Sequence, residues 1–280
     1  MERTLVMGIL NVTPDSFSDG GRYLATEAAV AHGLALRQDG ADLVDVGGES
    51  TRPGAPEVPV DVELARVMPV VAALASHGVS VSVDTKKAEV ALAAITAGAA
   101  VINDVSGGLA DAGMAAVIAA HPQVRYVVGH WRGNPELMDE LAHYDDVVGE
   151  VVAELSRQIL RLRAAGVAPS QLVLDPNLGF AKLGAHNWQV LAGLAALQHL
   201  GLPILVGASR KRFLAANSDD VEAATVAVTA LVAAAGVWAV RVHNVKANRA
   251  AVDVVTQLSR YRSFAGLTCR ANRWERNGVS

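Results

Sequence analysis

The chain has 280 residues and a formal net charge of −4, with 51% hydrophobic and only 4% aromatic residues. This slightly acidic balance excludes the basic surface of a nucleic-acid or anionic-membrane binder. The single cysteine, Cys269, excludes a disulfide or a cysteine-based metal site within one monomer. No apolar run reaches the roughly 20 residues of a membrane span, and the N-terminal run is interrupted too early for a signal peptide. We therefore expect a cytoplasmic protein.

Short apolar runs alternate with helix-like segments along the whole chain, and most runs end in a polar residue followed by a loop. The predicted strands are residues 4–10, 43–46, 79–83, 99–102, 124–128, 172–174, 203–208 and 237–242. The predicted helices are residues 26–38, 61–77, 86–97, a segment ending near 120, 147–165 and a segment from 187. Uninterrupted apolar strands joined by helices are typical of parallel sheets with right-handed crossovers.

Eight strand–helix units predict an α/β fold of the TIM (β/α)8 barrel type, in a single domain over residues 1–260. A doubly wound open sheet is the alternative, but no glycine-rich dinucleotide turn follows the first strand. Residues 261–280 lose the apolar periodicity and gain arginines, so we expect a poorly ordered C-terminal tail.

Polar residues cluster at the carboxyl ends of the predicted strands, which share one rim in a barrel. They are Asn11, Glu49, Asp84, Asn103, Asp104, His130, Asp175, Lys211, Arg241 and His243. Each alone has a structural explanation: Asp84 could cap a helix starting at Lys86, and Asn103 could complete a turn. Capping by chance would not put so many of them at the same end of separate strands, so together they indicate a binding pocket.

The chemistry of these residues divides into two sets. Asp84, Asp175 and Asn103 offer acceptors for a heterocycle with adjacent N–H groups, and Lys211 offers a donor to a ring oxygen or nitrogen. The second set suits phosphate, because arginine makes bidentate contacts to it. Its members are Asn11, Arg52, Arg241 and His243. The two sets predict a phosphorylated substrate beside a flat polar ring.

A metal-dependent hydrolase barrel using His130, Asp175 and His243 is another possibility. It fails at the first strand, where the sequence has Asn-Val-Thr instead of a His-x-His pair. Lys182 and Arg212 are expected near the rim, where either could be a solvated charge.

Seven motifs in order carry a resemblance to the dihydropteroate synthase family over about residues 6–255. They are GILNVTPDSFSDGG, DVGGESTRPGA, SVDT, INDVSGG, DPNLGFAK, VGASRKRF and RVHNV. GHWRG, GFAK and SRKRF look most like actinobacterial members. The resemblance implies a TIM barrel that condenses 6-hydroxymethyl-7,8-dihydropterin pyrophosphate with p-aminobenzoate, the reaction that sulfonamides inhibit, and releases pyrophosphate.

The resemblance also implies roles for individual residues. The pterin pocket would be Asp84, Asn103, Asp175 and Lys211. The pyrophosphate site would be Asn11, Thr51, Arg52, Arg241 and His243, with Asn11 also the Mg²⁺ ligand. The p-aminobenzoate site would be Phe17, Pro53, Phe180, Lys211 and Arg212. Catalysis would rest on Asp84, Lys211, Arg241 and His243, through a cation formed as pyrophosphate leaves. A homodimer, formed through late helices, is also a family expectation.

Four positions depart from the family pattern. Asn177 stands where glycine is usual, Gly129 replaces a common methionine, Asn244 replaces aspartate, and Arg212 replaces a frequent serine. Two other functions therefore remain open. One is a catalytically silent pterin-binding paralogue, and the other is a pterin-dependent methyltransferase barrel, which would not need the Thr-Arg-Pro loop or the Ser-Arg-Lys stretch.

Overall fold

The computed structural model describes residues 3–13, 21–50, 57–134, 138 and 140–264, with the backbone alone at 21–24 and 262–264. Eight parallel strands and ten helices alternate along this part of the chain. The strands are β1 Leu5–Asn11, β2 Leu43–Gly47, β3 Val81–Asp84, β4 Val101–Asp104, β5 Arg125–Gly129, β6 Leu172–Asp175, β7 Leu205–Val206 and β8 Ala239–Val242.

The sheet closes into a barrel. Its hydrogen-bonded order is β6-β5-β4-β3-β2-β1-β8-β7, all parallel. A parallel bridge between Leu174 and Ile204 joins the two remaining edges, where Leu174 N donates to Pro203 O over 2.8 Å. The TIM-barrel prediction is confirmed, and the open doubly wound alternative is wrong because neither edge of the sheet stays unpaired.

β7 is the shortest strand, two residues instead of the six predicted. Pro203 has no N–H to donate to a neighbour, which limits the strand at its start. At its other end the chain turns at once, since Lys211 N donates to Ala208 O over 3.2 Å. The apolar run PILVGA was therefore a correct signal of burial but an overestimate of strand length.

Side-chain alternation along the strands produces two separate apolar clusters. One fills the barrel interior and consists of Met7, Leu43, Val101, Val127, Val173, Leu205 and Ala239. Strand residues of the opposite parity, such as Val44, Tyr126 and Val240, belong to the larger cluster between the barrel and its helices. Because successive side chains of a strand point to opposite faces, each strand contributes to both.

The helices surround the barrel. They are α1 Gly21–Gln38, α2 Val60–Ser76, α3 Ala88–Thr96, α4 Met114–Ala119, α5 Val147–Ala164, α6 Gly184–Ala192, α7 Leu194–Gln198, α8 Arg212–Ala215, α9 Val221–Ala234 and α10 Val245–Phe264. Aspartate caps start α5 and α9: Asp146 accepts from Gly149 N over 3.1 Å, and Asp220 accepts from Ala223 N over 2.9 Å. Within the described chain, no helix is long and apolar enough to cross a membrane.

Several boundaries differ from the sequence prediction. α1 begins five residues earlier than Thr26, and α3 begins at Ala88 instead of Lys86. Ala88 N donates to Asp111 Oδ2 over 2.8 Å, so Asp84 is not the cap of this helix. α10 runs to Phe264, beyond the predicted domain end at residue 260. Residues 265–280, most of the expected tail, lie outside the described chain.

Candidate active site

The polar residues of the site continue the inward faces of the strands. Each lies two positions after an interior residue: Asp45 follows Leu43, Asn103 follows Val101, Asp175 follows Val173, and Arg241 follows Ala239. A step of two along a strand keeps the same face and moves toward its carboxyl end. The apolar cluster of the barrel interior therefore forms the bottom of the site, and these polar groups form the layer above it.

One cavity of about 1150 Å³ opens at this end of the barrel. Of the strand-end residues predicted to form one pocket, Asp104 and His130 do not line this cavity, but all described residues predicted to bind the substrates do. They are Asn11, Asp84, Asn103, Asp175, Phe180, Lys211, Arg212, Arg241 and His243. Four further predicted residues, Phe17, Thr51, Arg52 and Pro53, lie outside the described residues. Nine predicted positions from six separate segments of the chain thus line one shared pocket.

An ion-pair cluster occupies the deep wall of the cavity. Arg241 donates from Nε to Asp45 Oδ2 over 2.6 Å and from Nη2 to Asp84 Oδ2 over 2.8 Å. Asn103 Nδ2 donates to the same Asp45 oxygen over 3.0 Å. The guanidinium predicted for the leaving phosphates is thus held between two carboxylates at the base of the predicted pterin pocket.

Burial and charge set the proton affinities of this cluster. Burial raises the pKa of Asp84 to about 7, the Arg241 guanidinium opposes the rise, and the carboxylate of Asp45 adds to it. Burial disfavours the charge of Arg241, but the carboxylates of Asp45 and Asp84 outweigh it and raise the Arg241 pKa above its usual range. Strongly shifted acids in a cleft are typical of functional sites.

Asp175 ends β6 and starts the next loop. Its Oδ1 accepts from Asn177 N over 2.7 Å, so the turn-forming interpretation of this aspartate is also correct. Its Oδ2 faces Gly207, where a methyl group added to that glycine would stand 4.0 Å away. Burial raises the pKa of Asp175, opposed by the positive charge of Lys211. One carboxylate oxygen therefore shapes the loop while the other faces the cavity side.

Lys211 lies between the pterin pocket and the β6–α6 loop. Its Nζ donates to Leu178 O and stands 4.7 Å from the centroid of the Phe180 ring. Burial lowers the pKa of Lys211 to about 8, and the carboxylate of Asp175 opposes the change. A lysine over an aromatic face is a favourable cation–π pair. The arrangement links the two predicted substrate subsites through one ammonium group.

The part of the cavity at β1 and β8 carries the predicted anion-binding groups. Asn11 ends β1, and His243 follows β8, with its Nδ1 2.9 Å from Ser209 Oγ. Glu49 also lines the cavity, but it is engaged by lysines: Lys87 Nζ bonds it directly and Lys86 Nζ lies 3.4 Å from it. Glu49 thus belongs to a charged network below the cavity rim.

Sequence reasoning missed Asp45, which is fully buried and bonded to two predicted site residues. It lies inside the apolar run Leu43–Gly47 and not at its end. The usable signal was an aspartate at the third position of a buried strand, since a buried carboxylate needs a partner.

Lys182 was expected near the rim, where it could have been a solvated charge, but the structure buries its side chain. It lines the cavity but is only 3% exposed, with Nζ 2.8 Å from His130 Nδ1. His130 Nε2 in turn lies 2.8 Å from Glu154 Oε2. Both ring nitrogens of His130 are therefore occupied by hydrogen bonds, so neither is available as the metal ligand that a hydrolase site would need. Among the described residues, no group of three or more His, Cys, Asp or Glu side chains could hold a metal ion.

The unusual residues Gly129 and Asn177 are neighbours. Asn177 has a φ of 50°, and its Nδ2 donates to Val105 O over 2.8 Å and to His130 O over 3.1 Å. A side-chain carbon at Gly129 would stand 2.4 Å from that same Nδ2. The glycine at 129 therefore leaves room both for the Asn177 side chain and for Val105 O, to which an added carbon would be equally close at 2.4 Å.

The other two departures lie at helix starts. Asn244 Oδ1 accepts from Ala247 N over 3.2 Å, which caps α10 without a formal charge. Arg212 is exposed on the cavity wall at the start of α8. Neither substitution removes a predicted site residue.

Comparison with known proteins identifies the class of the molecule. Residues 7–243 match the family described as "Pterin binding enzyme". The dihydropteroate synthase of Mycobacterium leprae is 51% identical over 261 residues, which cover 89% of this chain and 92% of the relative. The Escherichia coli dihydropteroate synthase is 45% identical over 255 residues, covering 89% and 90%.

Solved structures agree. The Xanthomonas albilineans dihydropteroate synthase with 4-aminobenzoic acid superposes with a TM-score of 0.85 at 45% identity, covering 92% of this chain and 94% of that one. The same enzyme in complex with 7,8-dihydropteroate gives 0.82 at 42% identity, with the same coverage. The chain belongs to the pterin-binding enzyme family and, within it, to the dihydropteroate synthases.

Proposed function

We propose that this chain condenses 6-hydroxymethyl-7,8-dihydropterin pyrophosphate with p-aminobenzoate to give 7,8-dihydropteroate and pyrophosphate, in folate biosynthesis. The observation that carries the proposal is that one cavity is lined by nine of the residues predicted from the sequence and its resemblance to the family. Family membership supports it, as do the relatives solved with 4-aminobenzoic acid and with 7,8-dihydropteroate. The related enzyme of Yersinia pestis has been solved in complex with a sulfonamide drug.

The pterin ring would bind against Asp84, Asn103, Asp175 and Lys211. The carboxylates accept from the ring N–H and amino groups, and the lysine donates to the ring oxygen or nitrogen. Asp45 joins this site by holding Asn103 and by its bond to Arg241. Buried polar groups gain most from a ligand that satisfies them, which favours a flat, polar heterocycle at this depth.

The chemistry supported by these groups is dissociative. The bond between the exocyclic methylene carbon and the pyrophosphate oxygen breaks, and its electron pair leaves with pyrophosphate. Ionised Asp84 stabilises the pterin cation, since opposite charges attract strongly in a site shielded from water. The amino nitrogen of p-aminobenzoate then forms the new C–N bond and releases one proton. Holding the two reactants side by side lowers the entropic cost of this step.

The arylamine would bind between Phe180, Lys211 and Arg212. Phe180 offers a ring face beside the Lys211 ammonium, and Arg212 offers a guanidinium to the carboxylate of the substrate. Phe17 and Pro53 are also proposed to bind the arylamine, and both lie outside the described residues.

The pyrophosphate would bind near Asn11 and His243, with Arg241 contributing positive charge, and with Thr51 and Arg52 from outside the described residues. The donor set fits Mg²⁺, because Asn11 offers an amide oxygen at the cavity and magnesium is usually held by one or two protein oxygens plus substrate phosphates. When bound, the ion neutralises negative charge on the leaving group.

We also propose a cytoplasmic homodimer. α9 and α10 expose apolar side chains that water solvates poorly. They are Leu231, Val254, Leu258 and Tyr261, with exposed fractions of 70%, 68%, 49% and 73%. Sedimentation of the purified chain across a concentration series tests this proposal: a single species at the monomer mass, at micromolar concentration, would contradict it.

The test of the function is pyrophosphate release with the pterin pyrophosphate, Mg²⁺ and p-aminobenzoate, omitting each in turn. We expect release to require all three and to stop when the metal is chelated. Tight pterin binding by calorimetry with no release would instead favour the silent paralogue. Methyl transfer from a methylated reduced pterin would favour the methyltransferase.

A further inference from the structure

Lys182 is the centre of a buried polar chain that the mechanism above does not use. Its Nζ lies 2.8 Å from His130 Nδ1, 3.1 Å from Phe180 O and 3.3 Å from Asn177 O. On the far side, His130 Nε2 lies 2.8 Å from Glu154 Oε2. The chain therefore runs from helix α5 through the end of β5 into the loop between β6 and α6.

The geometry fixes the proton positions in this chain. Burial lowers the pKa of His130 to about 4. Burial opposes the charge of Glu154, but its bonds to His130 and Arg132 prevail and lower the Glu154 pKa to about 2. The neutral imidazole thus donates from Nε2 to the carboxylate and accepts at Nδ1 from Lys182. A protonated Lys182 then has three N–H groups and three acceptors, which leaves no donor unused.

Burial makes the protonated form of Lys182 energetically unfavourable. Burial, followed by the nearby charge of Lys211, lowers the pKa of Lys182 to about 7. Asp175 and Glu154 oppose this shift, and Arg132 adds to it. A lysine kept in such surroundings needs a compensating role, since a neutral side chain of similar length would avoid the desolvation.

The loop that Lys182 holds is conformationally demanding. Asn177, Gly179 and Ala181 all have left-handed backbones, with φ of 50°, 80° and 46°. Left-handed conformations cost free energy in residues with side chains and persist where the surroundings enforce them. Lys182 bonds two carbonyls of this loop, and Asn187 Oδ1 accepts from Gly179 N over 2.6 Å.

Arg132 and Tyr144 provide a second support for the loop over residues 177–182, and this support also starts at Glu154. Arg132 donates from Nη2 to Glu154 Oε1 over 2.6 Å and lies 3.8 Å from the centroid of the Tyr144 ring. Tyr144 OH donates to Ala181 O over 2.9 Å. Glu154 therefore anchors both branches that reach the loop.

The loop in turn determines the surroundings of Lys211. Leu178 O accepts from Lys211 Nζ, and the Phe180 ring lies beside the same ammonium. A shift in the loop would move both groups together. These are the groups through which the arylamine is proposed to bind.

We propose that Lys182 is a positioning residue for the second substrate: it holds the loop over residues 177–182 so that Phe180 and Lys211 are set for the arylamine, and His130 with Glu154 fixes it from behind. The inference rests on the proposed function and adds a residue to the determinants of arylamine binding.

The first test is Lys182→Met, which keeps a straight chain but removes the charge and all three donors. Losing one charge-assisted contact predicts a rise of about tenfold in KM for p-aminobenzoate. We expect KM for p-aminobenzoate to rise more than KM for the pterin pyrophosphate, because Phe180 is assigned to the arylamine alone, whereas Asp84, Asn103 and Arg241 of the pterin site make no contact with Lys182. Lys246→Met, on the exposed surface of α10, is the matched control and should change neither KM.

Two variants of His130 separate its hydrogen bond to Lys182 from its hydrogen bond to Glu154. His130→Asn keeps an oxygen near the Nδ1 position, so it can still accept from Lys182 but loses Glu154. His130→Gln reaches the Nε2 position, so it keeps Glu154 but loses the contact to Lys182. We expect the Gln variant to raise KM for p-aminobenzoate as Lys182→Met does, and the Asn variant to stay closer to the unmodified chain.

Melting temperatures identify variants that fail to fold, and the His130 pair keeps the test decisive if Lys182→Met is one of them. The inference is overturned if folded variants leave KM for p-aminobenzoate unchanged, raise both KM values equally, or reverse the order of the His130 pair. A failure of the proposed function looks different, because the unmodified chain would then release no pyrophosphate at all.

Discussion

Asp45→Asn gives the most direct test of the ion-pair cluster. The amide keeps an acceptor for Arg241 Nε and Asn103 Nδ2, so the change removes charge and little else. Two unit charges about 4 Å apart attract by about 4 kcal/mol at an effective dielectric constant of about 20. Asp84 also pairs with Arg241, and we take it to replace about half of the lost attraction. The remaining loss of roughly 2 kcal/mol corresponds to about a thirtyfold fall in kcat/KM for the pterin pyrophosphate.

The same substitution should also change the pH profile, because it lets Asp84 ionise more easily even though it lowers the overall rate. Part of the elevation of the Asp84 pKa to about 7 comes from the Asp45 carboxylate. Removing that charge lowers the Asp84 pKa, so ionised Asp84 persists to lower pH. The rising acid limb of kcat/KM should therefore shift to lower pH even as its plateau falls.

The assay is initial-rate pyrophosphate release from pH 5 to 9 with the pterin substrate varied. Asp39→Asn is the control, since Asp39 is exposed after α1 at the opposite end of the barrel. An acid limb that stays in place, or moves to higher pH, would refute repulsion between the two carboxylates. An unchanged plateau would refute the part of Asp45 in holding Arg241.

Three further predictions concern other parts of the molecule. In the unmodified chain, kcat/KM should rise near pH 7 as Asp84 ionises and fall near pH 8 as Lys211 loses its proton; a flat profile across this range would contradict both assignments. Asn177→Gly should lower the free energy of unfolding by about 1–2 kcal/mol through two lost hydrogen bonds, and Gly129→Ala by about 1–3 kcal/mol through crowding; chemical denaturation measures both, and a stabilised variant would be contrary evidence. Leu231→Glu should convert the proposed dimer to monomer in sedimentation, while an unchanged mass would exclude α9 from the interface.

The barrel itself was predictable because its signal is local. Each apolar run is short and each following helix is amphipathic, so alternation along the chain predicted the parallel sheet and its eight strands. Strand ends were also local features, which is why Asp84, Asn103 and Asp175 could be identified as cavity residues. Strand length was less predictable: the run before Gly207 lost residues to Pro203 and to an early turn.

The partners of the site residues were not predictable in the same way. Arg241 and Asp45 are 196 positions apart in sequence, and Lys182 and His130 are 52 apart. In each pair, the sequence around one residue gives no indication of its partner. Lys182 follows an ordinary glycine-containing loop, and that context gave no indication that its ammonium is buried.

By itself the sequence determined which residues of each strand share a face, because alternation with a period of two is a property of the strand alone, whereas the tertiary structure decided which of the two faces points inward. It also determined which motifs resemble the dihydropteroate synthases. Only the tertiary structure decided the height at which each inward residue lies around the barrel. That height follows from the register between neighbouring strands, which brings Asp45 in β2 to the level of Arg241 in β8. Register depends on closing the whole sheet, so the ion-pair cluster exists only in the folded chain.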